Sequence, residues 1–306
     1  MADIKGKKAQ DEKRYAALSS VAAALGLVGF KLVVGLVTNS LGILSEAVHS
    51  GLDLVAALVT YLAVRVSDKP ADEEHHYGHG KVENLSAFFE TLLLLGTCVW
   101  IIIEAAERLF VKTVEVDASI WAFLVMIISI VVDISRSRML YRAARAHNSQ
   151  ALEADALHFS TDIWSSSVVL LGLVGVLIGN KFPSLKFMEK ADAIAALGVA
   201  VIVVWISLRL GKRTIQGLLD AAPAGLNKKI KKSVEDLPGV ADCHQVRVRT
   251  AGPRLFIDVH ISVDGNQTLN EAHRLTETVE NTIRDLAPRA DVTVHPEPAE
   301  TASNSK

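Results

Sequence analysis

The sequence predicts an α-helical membrane protein of six transmembrane helices followed by a small cytosolic α+β domain of order αββαβ. Three observations carry that prediction. Apolar runs of membrane length recur before residue 211, charged residues collect in the gaps between them, and after Asp220 the pattern changes to short alternating strands and polar helices. A mean hydropathy of +0.31 is more than a soluble surface of 306 residues tolerates, so a large part of the chain belongs in lipid.

Residues 1–14, MADIKGKKAQDEKR, are polar and read as a cytosolic tail. The apolar run that follows is too long for a signal-peptide core and has no small-residue cleavage site. Within a membrane domain spanning 15–214, the six runs are Tyr15 to Val37, Leu41 to Val66, Leu85 to Phe110, Ile120 to Ile134, Leu152 to Leu177 and Ala191 to Leu210. A helix needs roughly 20 apolar residues to cross hydrocarbon, and the fourth run is the shortest of the set. Thr38, Asn39 and Ser40 are turn formers that make an antiparallel hairpin of the first two.

Lys and Arg collect before helix one (Lys5, Lys7, Lys8, Lys13, Arg14) and after helix two (Arg65, Lys69, Lys81). They collect again after helix four (Arg136, Arg138, Arg142, Arg145) and after helix six (Arg209, Lys212, Arg213). These groups fall on one side, which the positive-inside rule makes cytosolic, with both termini there. Lys181, Lys186 and Lys190 in the last outer loop run against the rule and are outnumbered.

Residues 215–298 form the soluble domain. Ala224 to Leu237 reads as a polar helix, CHQVRVRT and RLFIDVHISV as half-buried strands, Leu269 to Leu286 as a helix and Asp291 to His295 as a last strand. Residues 299–306 read as a disordered tail. A net charge of -2 supplies no field for nucleic acid. Cys98 and Cys243 are too few and too differently placed for a disulfide framework.

An ionisable side chain inside an apolar helix is costly, about 3 kcal/mol on insertion scales, and its presence calls for a function. Helix two holds Glu46, His49 and Asp53, and helix five repeats the i, i+3, i+7 spacing with Asp155, His158 and Asp162. That spacing puts each set on one helical stripe. Two helices that each offer a His and an Asp can close a tetrahedral site of two nitrogens and two oxygens, which Zn²⁺ accepts without ligand-field penalty. Its ligands must shed protons to bind metal, so binding couples to proton release. Glu46 and Asp155 remain open between supporting the ligands, relaying protons and lying at an interface. Lys31 and Glu104 read as snorkelling residues, Glu90 as a single intramembrane carboxyl, and Gly26, Gly29 and Gly35 as sites of close helix packing.

The loop DKPADEEHHYGHGKVE concentrates acids and imidazoles, with Asp72, His75 and His79 the plausible metal ligands and His76 a competitor. In the soluble domain His244, His260, His273 and His295 lie on or beside the strands and helix, with Glu297 two residues beyond His295. His244 and His260 come from adjacent strands and can meet across the sheet.

These residues bring the chain into line with a known family. Through SEAVHSGLD, HYGHGKVE and ADALHFSTD, and in helix number, loop placement and tail architecture from about Tyr15 to Pro298, it resembles the cation diffusion facilitators, proton-coupled exporters of divalent metals. The resemblance implies a homodimer whose protomers carry six helices and a metallochaperone-like domain. It places His49, Asp53, His158 and Asp162 on the transport ligands, in the combination of zinc-preferring members. It places Asp72, His75 and His79 on a loop site, His244, His260, His273 and His295 on a dimer-bridging site, and Lys81 and Asp220 on an ion pair near the cytosolic surface. Glu297 stands where the family pattern has Asp and Pro296 where it has an amide, which implies a weaker or mononuclear tail site.

The expectation is therefore a Zn²⁺/H⁺ antiporter in the cell (inner) membrane, with zinc also bound in the C-terminal domain. Export of Fe²⁺, Co²⁺, Ni²⁺ or Cd²⁺ is the alternative within the class, Mn²⁺ being disfavoured by the nitrogen ligands. An intramembrane zinc enzyme would need an H-E-x-x-H context that neither His49 nor His158 has. A metal-dependent membrane scaffold would leave the intramembrane ligands unexplained.

Overall fold

The computed structural model describes residues 2–110, 120–181, 188–288 and 290–299. It divides into two compact units between Ile215 and Gln216. The first holds helices α1 (Ala2–Thr38), α2 (Leu41–Ser67), α3 (Lys81–Phe110), α4 (Ile120–His147), α5 (Gln150–Lys181) and most of α6 (Met188–Leu218). Among the described residues, four helices are long and apolar enough to cross a membrane, covering Lys7–Thr38, Leu41–Ser67, Lys81–Glu107 and Ile120–His147.

Several helices exceed their apolar runs. α1 starts at Ala2 rather than Tyr15, so residues expected as a tail extend the helix, and α4 continues past Ile134 to His147. Hydropathy detects only the lipid-embedded stretch, whereas backbone hydrogen bonding carries on through Lys, Arg, Glu and Gln, which are good helix formers. The expected disordered tail from residue 300 onward, Lys186 and the Glu104 side chain lie outside what the structure describes.

Two hairpins share one turn chemistry. Asn39 and Asn148 each take φ 52°, a left-handed conformation that Asn tolerates better than most residues. A serine follows each and caps the next helix, Ser40 Oγ accepting from the Ile43 N–H and Ser149 Oγ from the Leu152 N–H, both at 3.4 Å. In the first hairpin Gly35 is needed, because a Cβ there would come within 2.8 Å of Leu44. A Cβ built at Gly26 or Gly29 would meet nothing within 4 Å among the described residues, so neither glycine is required for helix packing there.

Contacts fix helix directions. Lys13 reaches Asp68 while Lys31 reaches Glu46, so α1 and α2 run antiparallel. Glu12 pairs with His147 and Ser20 with Arg136, so α1 and α4 also do. Ser137 meets Ser160 across the α4–α5 hairpin. It follows that α2 and α5 are antiparallel to each other, starting from opposite ends of the bundle. His49 and Asp53 stand nine and thirteen residues after Ser40, and His158 and Asp162 nine and thirteen after Ser149.

This unit buries polar groups and exposes apolar ones. Val33, Leu52, Trp100 and Val131 point outward, while Lys31, Glu90 and Asp155 are enclosed. Small residues let helices approach: Ala16, Ala17, Ala144, Ala151 and Ala156 surround Leu140, Leu152 and Phe159. At one end of the bundle Lys13 donates to Asp68 at 2.8 Å and to Glu83 at 2.9 Å, and Glu83 also accepts from Ser67 at 2.9 Å and from Ser149 at 2.5 Å. One buried knot thus ties α1, α2, α3 and the start of α5.

The second unit has α7 (Leu226–Glu235), β1 (Asp242–Ala251), β2 (Arg254–Val263), α8 (Leu269–Leu286) and β3 (Ala290–Pro298), which is the expected αββαβ order. The sheet order is β1-β2-β3, with β1 and β2 antiparallel and β2 and β3 parallel. Ile230, Val234, Val279 and Ile283 from the helices pack on Cys243, Ile257, Ile261 and Val292 of one sheet face. Thr268 and Glu271 close a capping box that starts α8. Burial pushes the Cys243 thiol up to about 11, in keeping with its place in the core beneath the helices.

Breaking a buried charge cluster from one side leaves unpaired charge at about 3–5 kcal/mol. Lys13→Met should therefore lower the unfolding temperature of the detergent-solubilised protein by more than Ser149→Ala does. Equal unfolding temperatures for Lys13→Met and wild type would show that the knot contributes no stability.

Candidate metal centre

Within the helical unit the equal offsets of the two Asn-Ser starts bring α2 and α5 ligands to one level. His158 Nε2 lies 3.1 Å from Asp53 Oδ1 and 3.7 Å from Asp162 Oδ2. One ligand atom from each of these three residues falls within 4.8 Å of the others. His158 is 5% exposed and its Nδ1 has no hydrogen-bond partner among the described residues. His49 does not join this cluster. It lines the adjoining cavity of about 70 Å³ together with Asp53 and Asp162.

The cavity also holds residues that sequence reasoning missed or misplaced. Lys31, read as snorkelling, is 4% exposed and donates to Ser50 Oγ at 2.8 Å and Glu46 Oε2 at 3.1 Å. Arg136, read as a cytosolic topology signal, is 3% exposed inside α4. It donates to Ser20 Oγ at 3.0 Å, lies 3.5 Å from Asp133 Oδ1 and stacks 3.5 Å above the Phe159 ring. Ser129, Asp133 and Arg136 follow i, i+4, i+7 spacing on α4, so a search for stripes carried two residues past the fourth run finds them. Asp155 accepts from Ser20 at 3.3 Å and Glu90 from Thr60 at 2.7 Å, and neither enters the three-residue cluster.

In the α2–α3 loop Asp72, His75 and His79 form a second cluster. Asp72 Oδ1 lies 3.2 Å from His75 Nδ1, Asp72 Oδ2 lies 3.3 Å from His79 Nε2, and the two imidazoles stand 4.4 Å apart. The backbone N–H of His75 donates to Asp72 at 2.7 Å and, with that of Glu74, holds its carboxyl below the ordinary 3.8. His76 turns its Nε2 to the Glu73 carbonyl at 3.1 Å and is not part of this cluster.

The third cluster is on the open face of the sheet. Strand register pairs His244 with His260 and His260 with His295, and paired residues share a face. Glu297, two residues past His295, returns to that face because strand side chains alternate. Its Oε2 lies 3.2 Å from His244 Nε2 and its Oε1 lies 2.8 Å from His260 Nδ1. His295 Nε2 stands farther off, 3.5 Å from Glu297, and His273 on α8 faces Glu277 at 3.7 Å. The structure thus joins His244, His260 and Glu297, leaves His295 at the rim, and keeps His273 outside. β3 runs to Pro298, beyond the expected end at His295, and that extension carries Glu297. Lys81 opens α3 in the first unit and Asp220 belongs to the second.

Imidazole with carboxylate is the donor set of zinc and other borderline first-row cations. Residues 17–219 match the cation efflux transmembrane domain, and residues 223–299 match the cytoplasmic domain of cation efflux proteins. The chain is 32% identical over 286 residues to the cation-efflux pump FieF of Pectobacterium atrosepticum, covering 92% of each. It is 33% identical over 288 residues to that of Serratia proteamaculans, covering 93% of this chain and 92% of the relative. Among solved structures, the metal-bound C-terminal domain of the CzcD transporter from Thermotoga maritima is 32% identical, with a TM-score of 0.24, over 25% of this chain and 91% of that one.

The hydrogen bond from His260 holds the Glu297 carboxyl below its ordinary 4.5. A depressed folded value means that this cluster's contribution is complete above pH 4.5 and fades as pH falls through the lowered value. A carboxyl-detected NMR titration should put the Glu297 midpoint below 4.5, and a His260→Ala variant should move it upward. A midpoint at or above 4.5 in the wild type would contradict the hydrogen bond.

Proposed function

The chain belongs to the cation efflux family, and from that premise we propose that it exports Zn²⁺ from the cytosol in exchange for protons. Such a protein is a multi-pass membrane transporter. The observation that carries the reading is the bridging of Asp53 and Asp162 by His158 Nε2, at 3.1 and 3.7 Å, beside a polar cavity lined by His49. In this reading all six helices span the cell (inner) membrane with both termini cytosolic, and His49 completes the ligand set.

The chemistry follows from one constraint. A proton on the His158 nitrogen that faces two carboxylates occupies the place of a metal–nitrogen bond, so the dication binds only as that proton leaves. Two carboxylates then compensate the two charges of the ion, and the imidazoles favour zinc over oxygen-preferring cations. When the cavity opens to the other side, reprotonation of the same nitrogen displaces the metal. Fe²⁺, Co²⁺, Ni²⁺ and Cd²⁺ accept the same donors and are the competing cargo.

The cytosolic clusters fit supporting roles. Asp72, His75 and His79 hold metal at the end of α2, and His244, His260 and Glu297 bind zinc in the C-terminal domain, through which two copies of the chain form a homodimer. His273, 71% exposed on its side chain, is accessible to complete a bridging site with a second protomer.

Reconstitution in liposomes with an internal metal-sensitive dye tests the proposal. Zn²⁺ uptake should require a pH gradient and should vanish in His49→Ala and Asp162→Ala, with the dimer intact. Undiminished zinc flux in these variants would refute the site. Absence of any metal flux in a folded wild type would favour the scaffold reading instead.

A further inference from the structure

The cavity beside the Asp53, His158 and Asp162 cluster has a charge composition that ligand geometry does not require. Among the described residues its ionisable lining, besides His49, comprises four carboxyls, Glu46, Asp53, Asp133 and Asp162, against the cations Lys31 and Arg136. With a metal bound, all four carboxyls ionised and His49 neutral, this lining would carry two net negative charges, equal and opposite to one divalent cation.

The two cations are held differently. Arg136 is locked by Asp133, Ser20 and the Phe159 ring. Lys31 arrives from α1 on a flexible stem and is held by two α2 groups, Ser50 and Glu46. Those groups flank His49 on the same helix, one turn before Asp53. A buried ammonium here is expensive unless it does something, and Glu46, whose side chain is half exposed, needs no buried partner to stay charged.

We propose that Lys31 sets the affinity of the site, as a tethered cation that trims the anionic charge of the cavity to that of one divalent ion and so keeps the bound ion releasable. This inference rests on reading the cluster as the transport site. Without the ammonium the lining carries one more negative charge in a medium of low dielectric, which holds a dication more tightly and slows its exit. Neutralising Glu46 as well restores the count.

The test uses the full chain in liposomes for Zn²⁺ flux and in detergent for Zn²⁺ calorimetry. Lys31→Met should lower KM and maximal rate together, with binding tightened about tenfold. Glu46→Gln should raise KM and weaken binding. The double variant Lys31→Met/Glu46→Gln should lie closer to wild type than Lys31→Met in both parameters, a rescue that a merely structural lysine does not produce. Should Lys31→Met fail to give a monodisperse protein, Glu46→Gln and the double variant decide. Unchanged KM and binding in Glu46→Gln, or a double variant no nearer wild type than Lys31→Met, would overturn the proposal. Asp162→Ala, run in parallel, tests the site itself: flux surviving there refutes the transport site, while flux lost there and unaltered Lys31 and Glu46 variants refute only the role of Lys31.

Discussion

A charged group inside a hydrocarbon layer must find its partners within the protein, because neither lipid nor water supplies them. That requirement organises the helical unit. Lys13 holds Asp68 and Glu83, Lys31 holds Glu46, Arg136 sits by Asp133, and His158 bridges Asp53 and Asp162. Each contact joins different helices or fixes a side chain within one, so pairing the charges and assembling the bundle are the same event. The outward faces, rich in Val, Leu, Ile and Trp, carry no such information and can meet any lipid.

The three clusters of metal-ligating groups differ in a way that their surroundings explain. The buried one has two carboxylates and one imidazole, while the loop and sheet clusters each have one carboxylate and two imidazoles. Enclosed in low dielectric, a dication needs full compensation from its ligands. At a wet surface, water screens what the ligands leave over, and neutral imidazoles suffice. The donor mixture therefore tracks depth as well as metal preference.

Much of this was legible in the chain. The i, i+3, i+7 stripes located Asp53, His158 and Asp162 because helical spacing is rigid, and the β1–β2 alternation located the His244 and His260 pairing because strand spacing is equally so. Other placements were hidden. Arg136 was counted as lying beyond the fourth helix because hydropathy does not show that α4 continues to His147. Lys31 looked like a snorkelling residue since its partners, Ser50 and Glu46, belong to the neighbouring helix. The clusters also separate His76 from His75 and His273 from His260, distinctions that depend on loop turns and helix packing rather than on residue type.

The matched offsets of the two serine-capped helices have an electrical meaning. Ligands nine and thirteen residues from each start lie roughly 14–20 Å into the bundle at 1.5 Å per residue, whichever end is taken as the entrance. With each helix start at the edge of a hydrocarbon core of roughly 30 Å, as the proposed six-helix arrangement has it, that level is the midplane. An ion reaching this level from either face crosses about half of the transmembrane voltage, worth about 2.3 kcal/mol per 100 mV for a doubly charged species. Loading and release in the proposed cycle are then weighted evenly by membrane potential, and the number of protons carried back determines whether the whole turnover generates current.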